Sequence, residues 1–128
     1  MAANEDEIFT TWTGELAGGK LYLLNLCGEL DASTTPVLLT QVQEIIAKSV
    51  DLVVDVHLLS YVDSTGLAAI LSLKNALQRI GKRMSMAGCH GLVKRILDLT
   101  NIGREFTCFD DVDSAVAQMT GGRRSRRS

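Results

Sequence analysis

The sequence lacks the features that membrane, secreted and metal-binding proteins require. No apolar run approaches the length of a membrane span, and the polar, acidic residues 1–7 carry neither the basic nor the apolar region of a signal peptide. The three cysteines, Cys27, Cys89 and Cys108, are odd in number and form no C-x-x-C pair. Each lies in or beside an apolar segment, which favours buried, reduced thiols. These absences predict a cytoplasmic protein, and a length of 128 residues predicts one domain.

Histidine is scarce as well, because only His57 and His90 are present. No second cysteine or histidine lies at a zinc-finger spacing from Cys89-His90. A triad of Ser64, His57 and Asp63 lacks the G-x-S-x-G segment that positions the serine of many hydrolases. The sequence therefore predicts no metal site, no cofactor and no catalytic activity.

One glycine-rich segment matches the first part of a phosphate-binding loop. Residues 14–20, Gly-Glu-Leu-Ala-Gly-Gly-Lys, fit G-x-x-x-x-G-K, but Leu21 stands where magnesium binding requires Ser or Thr. The segment also precedes an apolar strand rather than a helix, so no helix N-terminus would face a phosphate. A hairpin loop is the better interpretation.

The charges are divided unevenly along the chain. Four of the 13 basic residues are the arginines within 123–127, which leaves nine against 15 acidic residues in 1–120, a net charge of −6. An acidic body is a poor match to nucleic acid and suits a partner with a basic face. The polar, arginine-rich residues 121–128 have no apolar side chain with which to dock, so we expect them to be disordered.

Strand and helix signals alternate along the body, which predicts an α/β fold with a mixed sheet. A leading hairpin makes the sheet mixed rather than purely parallel. The predicted strands cover 8–13, 20–27, 51–56, 83–87 and 106–109, with 58–62 as a connecting segment. The predicted helices run from a cap at Ser33 or Thr34 to Lys48, over 66–80 and 92–99, and from Asp111 or Asp113 to Met119.

The most informative segment is Asp63-Ser64-Thr65-Gly66-Leu67, which lies between an apolar strand and a helix. It places a hydroxyl at a helix N-terminus, beside a carboxylate and before a glycine. Asp and Ser are usual N-cap residues, so capping alone explains the pair. A phosphate on Ser64 would be favoured by the unpaired N–H groups and the dipole of the helix. Capping alone and capping with phosphorylation both remain open from the residues themselves.

The order of several segments resembles the STAS domain of bacterial anti-sigma factor antagonists over roughly residues 8–119. The segments that carry the resemblance are Gly28-Glu29-Leu30-Asp31, Val53–Val56, Tyr61–Leu67, Met86-Ala87-Gly88 and Val93–Ile102. The resemblance implies a four- or five-stranded mixed sheet with helices packed mainly on one side. It also implies one STAS domain over residues 8–120, between a flexible N-terminus of residues 1–7 and the basic tail.

The resemblance further implies a phosphorylation switch without catalysis by this chain. In the family, an anti-sigma factor that is a serine kinase phosphorylates the serine after the motif aspartate, which here is Ser64. The unphosphorylated antagonist binds that kinase and frees a sigma factor, and a serine phosphatase resets the switch in stress response or sporulation. The resemblance places partner binding at Asp31, Asp63, Ser64, Thr65 and Gly66, with Asp31 exposed at the kinase interface.

The expected partners are therefore proteins, with neither nucleic acid nor a membrane among them, and the chain is expected to be a monomer or a weak dimer. STAS domains also occur in anion transporters and lipid-trafficking complexes where no phosphorylation is known. The alternative is accordingly a constitutive STAS subunit of a membrane transport or lipid-trafficking complex, in which Ser64 only caps its helix.

Overall fold

The computed structural model describes the backbone of residues 9–126 and the side chains of residues 9–121. The predicted flexible N-terminus, residues 1–7, and the last two residues of the chain lie outside this range. Within it, five strands alternate with helices: β1 (Phe9–Leu16), β2 (Leu21–Leu30), β3 (Asp51–Val62), β4 (Met84–Ala87) and β5 (Cys108–Phe109). The helices are α1 (Thr35–Lys48), α2 (Ser64–Arg79), α3 (Gly91–Leu99) and α4 (Val112–Arg126), with short 3₁₀ turns at Ala17–Gly19 and Ile102–Glu105.

The strands form one mixed sheet in the order β1-β2-β3-β4-β5. β1 pairs antiparallel with β2, and the three remaining pairs are parallel. The expected hairpin is therefore confirmed, but its turn is shorter than the glycine-rich segment 14–20, because residues 14–16 still pair with β2. The turn is Ala17–Gly19, where Gly18 and Gly19 have positive φ values of 66° and 89°. Glycine tolerates this backbone conformation because it has no Cβ.

The pairing of β2 with β3 determines where the two candidate aspartates lie. The strands are parallel, and the last residue of β2, Leu30, is opposite the last residue of β3, Val62. Asp31 directly follows β2 and Asp63 directly follows β3, so both residues lie at the same edge of the sheet. Carboxyl ends of adjacent parallel strands meet there, which is a common position for functional loops.

Apolar side chains cover both faces of the sheet, but unequally. Helices α1, α2 and α3 pack on one face, through residues that include Leu38, Ile70, Leu73 and Val93. Helix α4 packs on the other face, where Ala115 and Met119 join a smaller cluster: Leu21, Leu23, Val53 and Ala87. The α/β fold with a mixed sheet of five strands and helices mainly on one side is confirmed.

Several predicted boundaries are corrected. Strands β1 and β2 continue to Leu16 and Leu30, beyond the predicted 8–13 and 20–27, and β5 is limited to Cys108–Phe109 within the predicted 106–109. Residues 58–62, expected as a connecting segment, belong to β3, which pairs with β2 as far as Val62 across two register shifts. Helix α2 begins at Ser64 rather than Gly66. Helix α4 continues beyond Met119 to Arg126, so residues 121–126 are helical where the composition predicted disorder.

The prediction of buried thiols is wrong. Cys108 is exposed, and Cys27 and Cys89 are half-buried. Cys108 lies on β5, which ends the sheet and, among the described residues, has a neighbouring strand on one side only. Apolar neighbours along the sequence therefore did not ensure burial, because coverage depends on what packs over the strand.

Candidate functional site

Asp63 caps helix α2. Its backbone is extended, with φ −103° and ψ −176°, and its Oδ1 accepts a hydrogen bond of 2.9 Å from the Gly66 N–H. Its carbonyl oxygen accepts the first helical bond, from the Leu67 N–H at 2.9 Å. These two bonds determine where the helix starts, and they assign the capping role to Asp63 rather than to Ser64.

The same carboxylate joins the helix to the neighbouring loop. Asp63 Oδ2 accepts a hydrogen bond of 3.1 Å from the N–H of Ala32, which lies in the turn after β2. The Asp63 N–H donates to the carbonyl oxygen of Leu30 at 3.1 Å. The start of α2 and the turn after β2 are therefore held together at the sheet edge. Sequence reasoning did not find Ala32, because its role depends on the pairing of β2 with β3.

Ser64 and Thr65 occupy the first two positions of α2, and both are exposed. Among the described residues, neither the Ser64 hydroxyl nor the backbone N–H groups of Ser64 and Thr65 have a hydrogen-bond partner in the protein. The first N–H groups of a helix have no intrahelical acceptor, and the helix dipole adds a partial positive charge there. The Ser64 hydroxyl is accessible to an enzyme, and the helix end favours an anion at this position.

Gly66 is buried against the end of β2. A methyl group at this position would lie 2.7 Å from Leu30 Cγ and 2.9 Å from the Leu30 carbonyl oxygen. Glycine thus allows the first turn of α2 to approach the strand more closely than any other residue would. Gly66 positions the start of the helix that carries Ser64, and its backbone N–H is already taken by Asp63.

Asp31 organises the turn between β2 and α1. Its Oδ1 accepts hydrogen bonds from the Ser33 N–H at 3.0 Å, the Ser33 hydroxyl at 2.8 Å and the Thr34 N–H at 3.1 Å. The Thr34 hydroxyl accepts from the Asp31 N–H at 2.9 Å and donates to the Glu29 carbonyl oxygen at 2.7 Å. The side chain at the expected cap position, Thr34, makes no capping bond to α1. Asp31 is half-buried in this turn rather than fully exposed as expected.

The hydrogen bond from the Ser33 hydroxyl is the main cause that lowers the pKa of Asp31 below its ordinary value of 3.8. Partial burial opposes this effect, and the bonds to Thr34 and to the Ser33 N–H support it. A lowered pKa means that the folded state favours the ionised carboxylate. Asp31 therefore presents a negative charge at neutral pH, on the same sheet edge as Ser64.

Asp63→Ala should destabilise the fold by about 1–2 kcal/mol, because it removes the cap of α2 and the bond to Ala32. Asp63→Asn is the matched control, since one amide oxygen replaces one carboxylate oxygen and can keep only one of the two bonds. We expect the free energy of unfolding of Asp63→Asn, measured in urea, to fall between the wild type and Asp63→Ala. Equal stability of all three proteins would contradict the proposed role of this carboxylate.

The two histidines also meet in the structure. His90 Nε2 lies 2.8 Å from the His57 carbonyl oxygen, and the ring centroids are 5.3 Å apart. Among the residues that the structure describes, no group of three or more His, Cys, Asp or Glu side chains could hold a metal ion. Within the same residues, no helix combines the length and apolar character needed to span a membrane.

Comparisons with known proteins agree with this architecture. The family model of the STAS domain matches residues 17–115, which extend from the hairpin turn to the first turns of α4. A comparison with curated protein sequences finds no match.

Several solved structures share the fold at low sequence identity. An anti-sigma factor antagonist from Mycobacterium paratuberculosis has 21% identity and a TM-score of 0.76, over 85% of this chain and 92% of that one. The phosphorylated form of SpoIIAA, a Bacillus cell fate determinant, has 14% identity and a TM-score of 0.66, over 86% and 99%. A murine anion transporter of the Solute Carrier 26 family has 20% identity and a TM-score of 0.65, over 80% of this chain and 18% of the transporter.

The family match covers most of the sheet and the segment that carries Asp31, Asp63 and Ser64. The five-stranded mixed sheet with its helices has the same fold as these solved structures. The protein therefore belongs to the STAS domain family.

Proposed function

We propose that this protein is a cytoplasmic anti-sigma factor antagonist whose partner is an anti-sigma factor serine kinase. The observation that carries the proposal is the position of Ser64, an exposed hydroxyl at the first position of α2, directly after the capping Asp63. The unphosphorylated form binds the kinase and frees a sigma factor. Phosphorylation of Ser64 ends that binding, and a serine phosphatase restores it.

The surroundings of Ser64 support a reversible charge switch. Phosphorylation adds about −1.5 to −2 elementary charges at neutral pH. The helix N-terminus stabilises a negative charge by roughly 0.3–1 kcal/mol, so the fold tolerates the phosphate. At the interface with the kinase the same charge must lose its water and lies close to the negatively charged phosphates of the bound nucleotide, which weakens binding. The modification thus acts on the complex and leaves the free protein folded.

The sheet edge around Ser64 supplies the proposed binding surface. Asp31 and Asp63 lie on adjacent loops that are tied by the Ala32 hydrogen bond, and Ser64 and Thr65 lie exposed beside them. This surface presents two carboxylates in a body that is acidic as a whole, which suits a basic face on the kinase. Structures described as anti-sigma factor antagonists share the fold, and one of these proteins, SpoIIAA, has been solved in unphosphorylated and phosphorylated forms. These likenesses support the proposal.

Ser64→Ala should accept no phosphate and should still bind the kinase. The exposed Ser64 side chain makes no hydrogen bond among the described residues, so we expect stability within about 0.5 kcal/mol of the wild type. A loss of about 1 kcal/mol would be expected only if Ser64, rather than Asp63, capped the helix. The measurement is intact mass after incubation with a candidate anti-sigma kinase and ATP. Thr65→Ala is the matched control and should still gain one phosphate; phosphate on Thr65 or Ser60 with none on Ser64 would overturn the assignment.

Asp31→Asn should weaken kinase binding and lower the melting temperature at pH 7 only slightly, because the amide oxygen can keep the turn bonds to Ser33 and Thr34 and only the negative charge is lost. The small difference in stability between the wild type and the variant should shrink as the pH falls from 7 to 3. The folded state lowers the pKa of Asp31, so its carboxylate contributes stability above its ordinary pKa of 3.8, and this contribution is lost as the pH falls toward the lowered pKa. Urea unfolding at pH 7 and pH 3 measures this; a kinase affinity equal to wild type would remove Asp31 from the interface.

The alternative is a constitutive STAS subunit of a transport or lipid-trafficking complex. The likeness to an anion transporter of the Solute Carrier 26 family supports it, since the STAS fold also occurs there. In that case Ser64 carries no phosphate, and kinase and ATP leave the mass unchanged. Co-purification separates the two proposals, because the switch predicts an anti-sigma kinase that ATP releases, and the subunit predicts a membrane protein whose binding ATP does not affect.

A further inference from the structure

Two cysteines meet at the end of the sheet that holds β4 and β5. Cys89 follows β4, Cys108 lies on β5, and their Sγ atoms are 3.3 Å apart as free thiols. The backbone around them is held by hydrogen bonds between the strands, from Met86 N–H to Thr107 O at 2.8 Å and from Gly88 N–H to Phe109 O at 2.9 Å. A disulfide bond has a length of about 2.05 Å, so closing the gap requires a movement of only about 1 Å.

The pair is accessible and its two members differ. Cys108 is exposed and Cys89 is half-buried. The Cys89 thiol donates its hydrogen bond to the Cys108 sulfur, which lowers the pKa of Cys108 to about 7 and raises that of Cys89. Lys94 and Asp98 are the charged side chains that act on the pair, and their effects on the pKa values have opposite signs. Cys108 is therefore the member that supplies a thiolate.

We propose that Cys89 and Cys108 form a redox-active dithiol that a low-molecular-weight disulfide converts into an internal disulfide bond. The Cys108 thiolate attacks one sulfur of the small disulfide, forms a mixed disulfide and releases one thiolate. Cys89 then gives up its proton and attacks the Cys108 sulfur, which breaks the mixed bond and releases the second small thiolate. Overall, two protein thiols are oxidised to one disulfide and the small disulfide is reduced to two thiols.

The disulfide would lie in a part of the fold that the proposed phosphorylation does not use. The new bond would join the loop before α3 to β5 and close the segment 89–108. Because the Cys89 sulfur already lies beside the Cys108 sulfur, the attack of Cys89 on the mixed disulfide should be faster than the attack of a small thiol at millimolar concentration. Well-oriented intramolecular reactions reach effective concentrations far above millimolar, so the mixed disulfide should not accumulate.

The test oxidises the reduced, full-length protein with oxidised glutathione and measures its mass without reduction. We expect the loss of two hydrogen atoms, no stable glutathione adduct, and recovery of the original mass with dithiothreitol. Trypsin cleaves after Lys94, Arg95 and Arg104, which separates the two cysteines, so the disulfide appears as one linked pair of peptides.

Three variants make the outcome specific. Cys27→Ser should behave as the wild type, because Cys27 takes no part. Cys89→Ser should accumulate one glutathione on Cys108, since the resolving thiol is gone, and Cys108→Ser should form no internal bond. A stable glutathione adduct on the wild type without the internal bond, or a linkage through Cys27, would overturn the proposal.

Discussion

Ser64→Asp should bind the anti-sigma kinase roughly 30- to 100-fold more weakly than the wild type, a loss of about 2–3 kcal/mol. Its melting temperature should stay nearly the same. The aspartate places one negative charge at a helix N-terminus that tolerates anions, so the free protein accommodates it. In the complex the same charge loses its hydration water, and this desolvation penalty weakens binding. Calorimetric titration with the kinase and a thermal melt of the free variant measure the two effects separately.

Two control variants isolate the charge and its position. Ser64→Asn has nearly the shape of Ser64→Asp without the charge, and its affinity should remain close to that of the wild type. Ser72→Asp adds the same charge at an exposed position further along α2 and should leave binding unchanged. If Ser64→Asp binds the kinase as tightly as the wild type, charge at this site is not the switch, and the constitutive subunit becomes the better proposal.

Gly66→Ala should destabilise the protein by about 1–3 kcal/mol, as overpacking of a tight contact does. The added methyl group would meet Leu30 Cγ at 2.7 Å and the Leu30 carbonyl oxygen at 2.9 Å. Helix propensity alone gives the opposite sign, because alanine is favoured over glycine in helices by about 1 kcal/mol. The sign of the change therefore distinguishes the close approach of α2 to β2 from an ordinary helical position. Urea unfolding with a constant m-value is the measurement.

Ala68→Gly is the control for this experiment, since Ala68 is exposed on the same helix. It should lose about 1 kcal/mol through helix propensity, without any packing contact. The two variants together should show that alanine lowers the free energy of unfolding relative to glycine at position 66 and raises it at position 68. Helix propensity alone would favour alanine at both positions. An unfolding free energy of Gly66→Ala equal to or above that of the wild type would show that the first turn of α2 moves freely away from Leu30.

The local pattern predicted most of the elements. Apolar periodicity and turn residues located five strands and four helices, and the alternation of the two predicted a mixed α/β sheet. Boundaries were less well determined. The strand expected to end at Val56 runs to Val62, and the helix expected to end at Met119 runs to Arg126. Boundaries depend on pairing and packing with distant segments, which the pattern within one segment does not contain.

The candidate site was predictable where its bonds are local. The capping bond from Gly66 N–H to Asp63 spans three residues, so the segment itself specifies it, although it did not decide between Asp63 and Ser64. The bond from Ala32 N–H to Asp63 spans 31 residues and depends on Leu30 lying opposite Val62. The contact of Cys89 with Cys108 likewise depends on β4 pairing with β5.

The sequence by itself determined the kinds of elements, their order and the segment that places a hydroxyl at the start of a helix. These follow from residue preferences and periodicity within a few neighbouring positions. The tertiary structure alone decided that the Asp31 turn lies beside Asp63, that Gly66 must be small, and that two thiols meet. Each of these requires strands that are distant in the chain to pair in one register, and the core selects that register by burying side chains contributed by the whole fold.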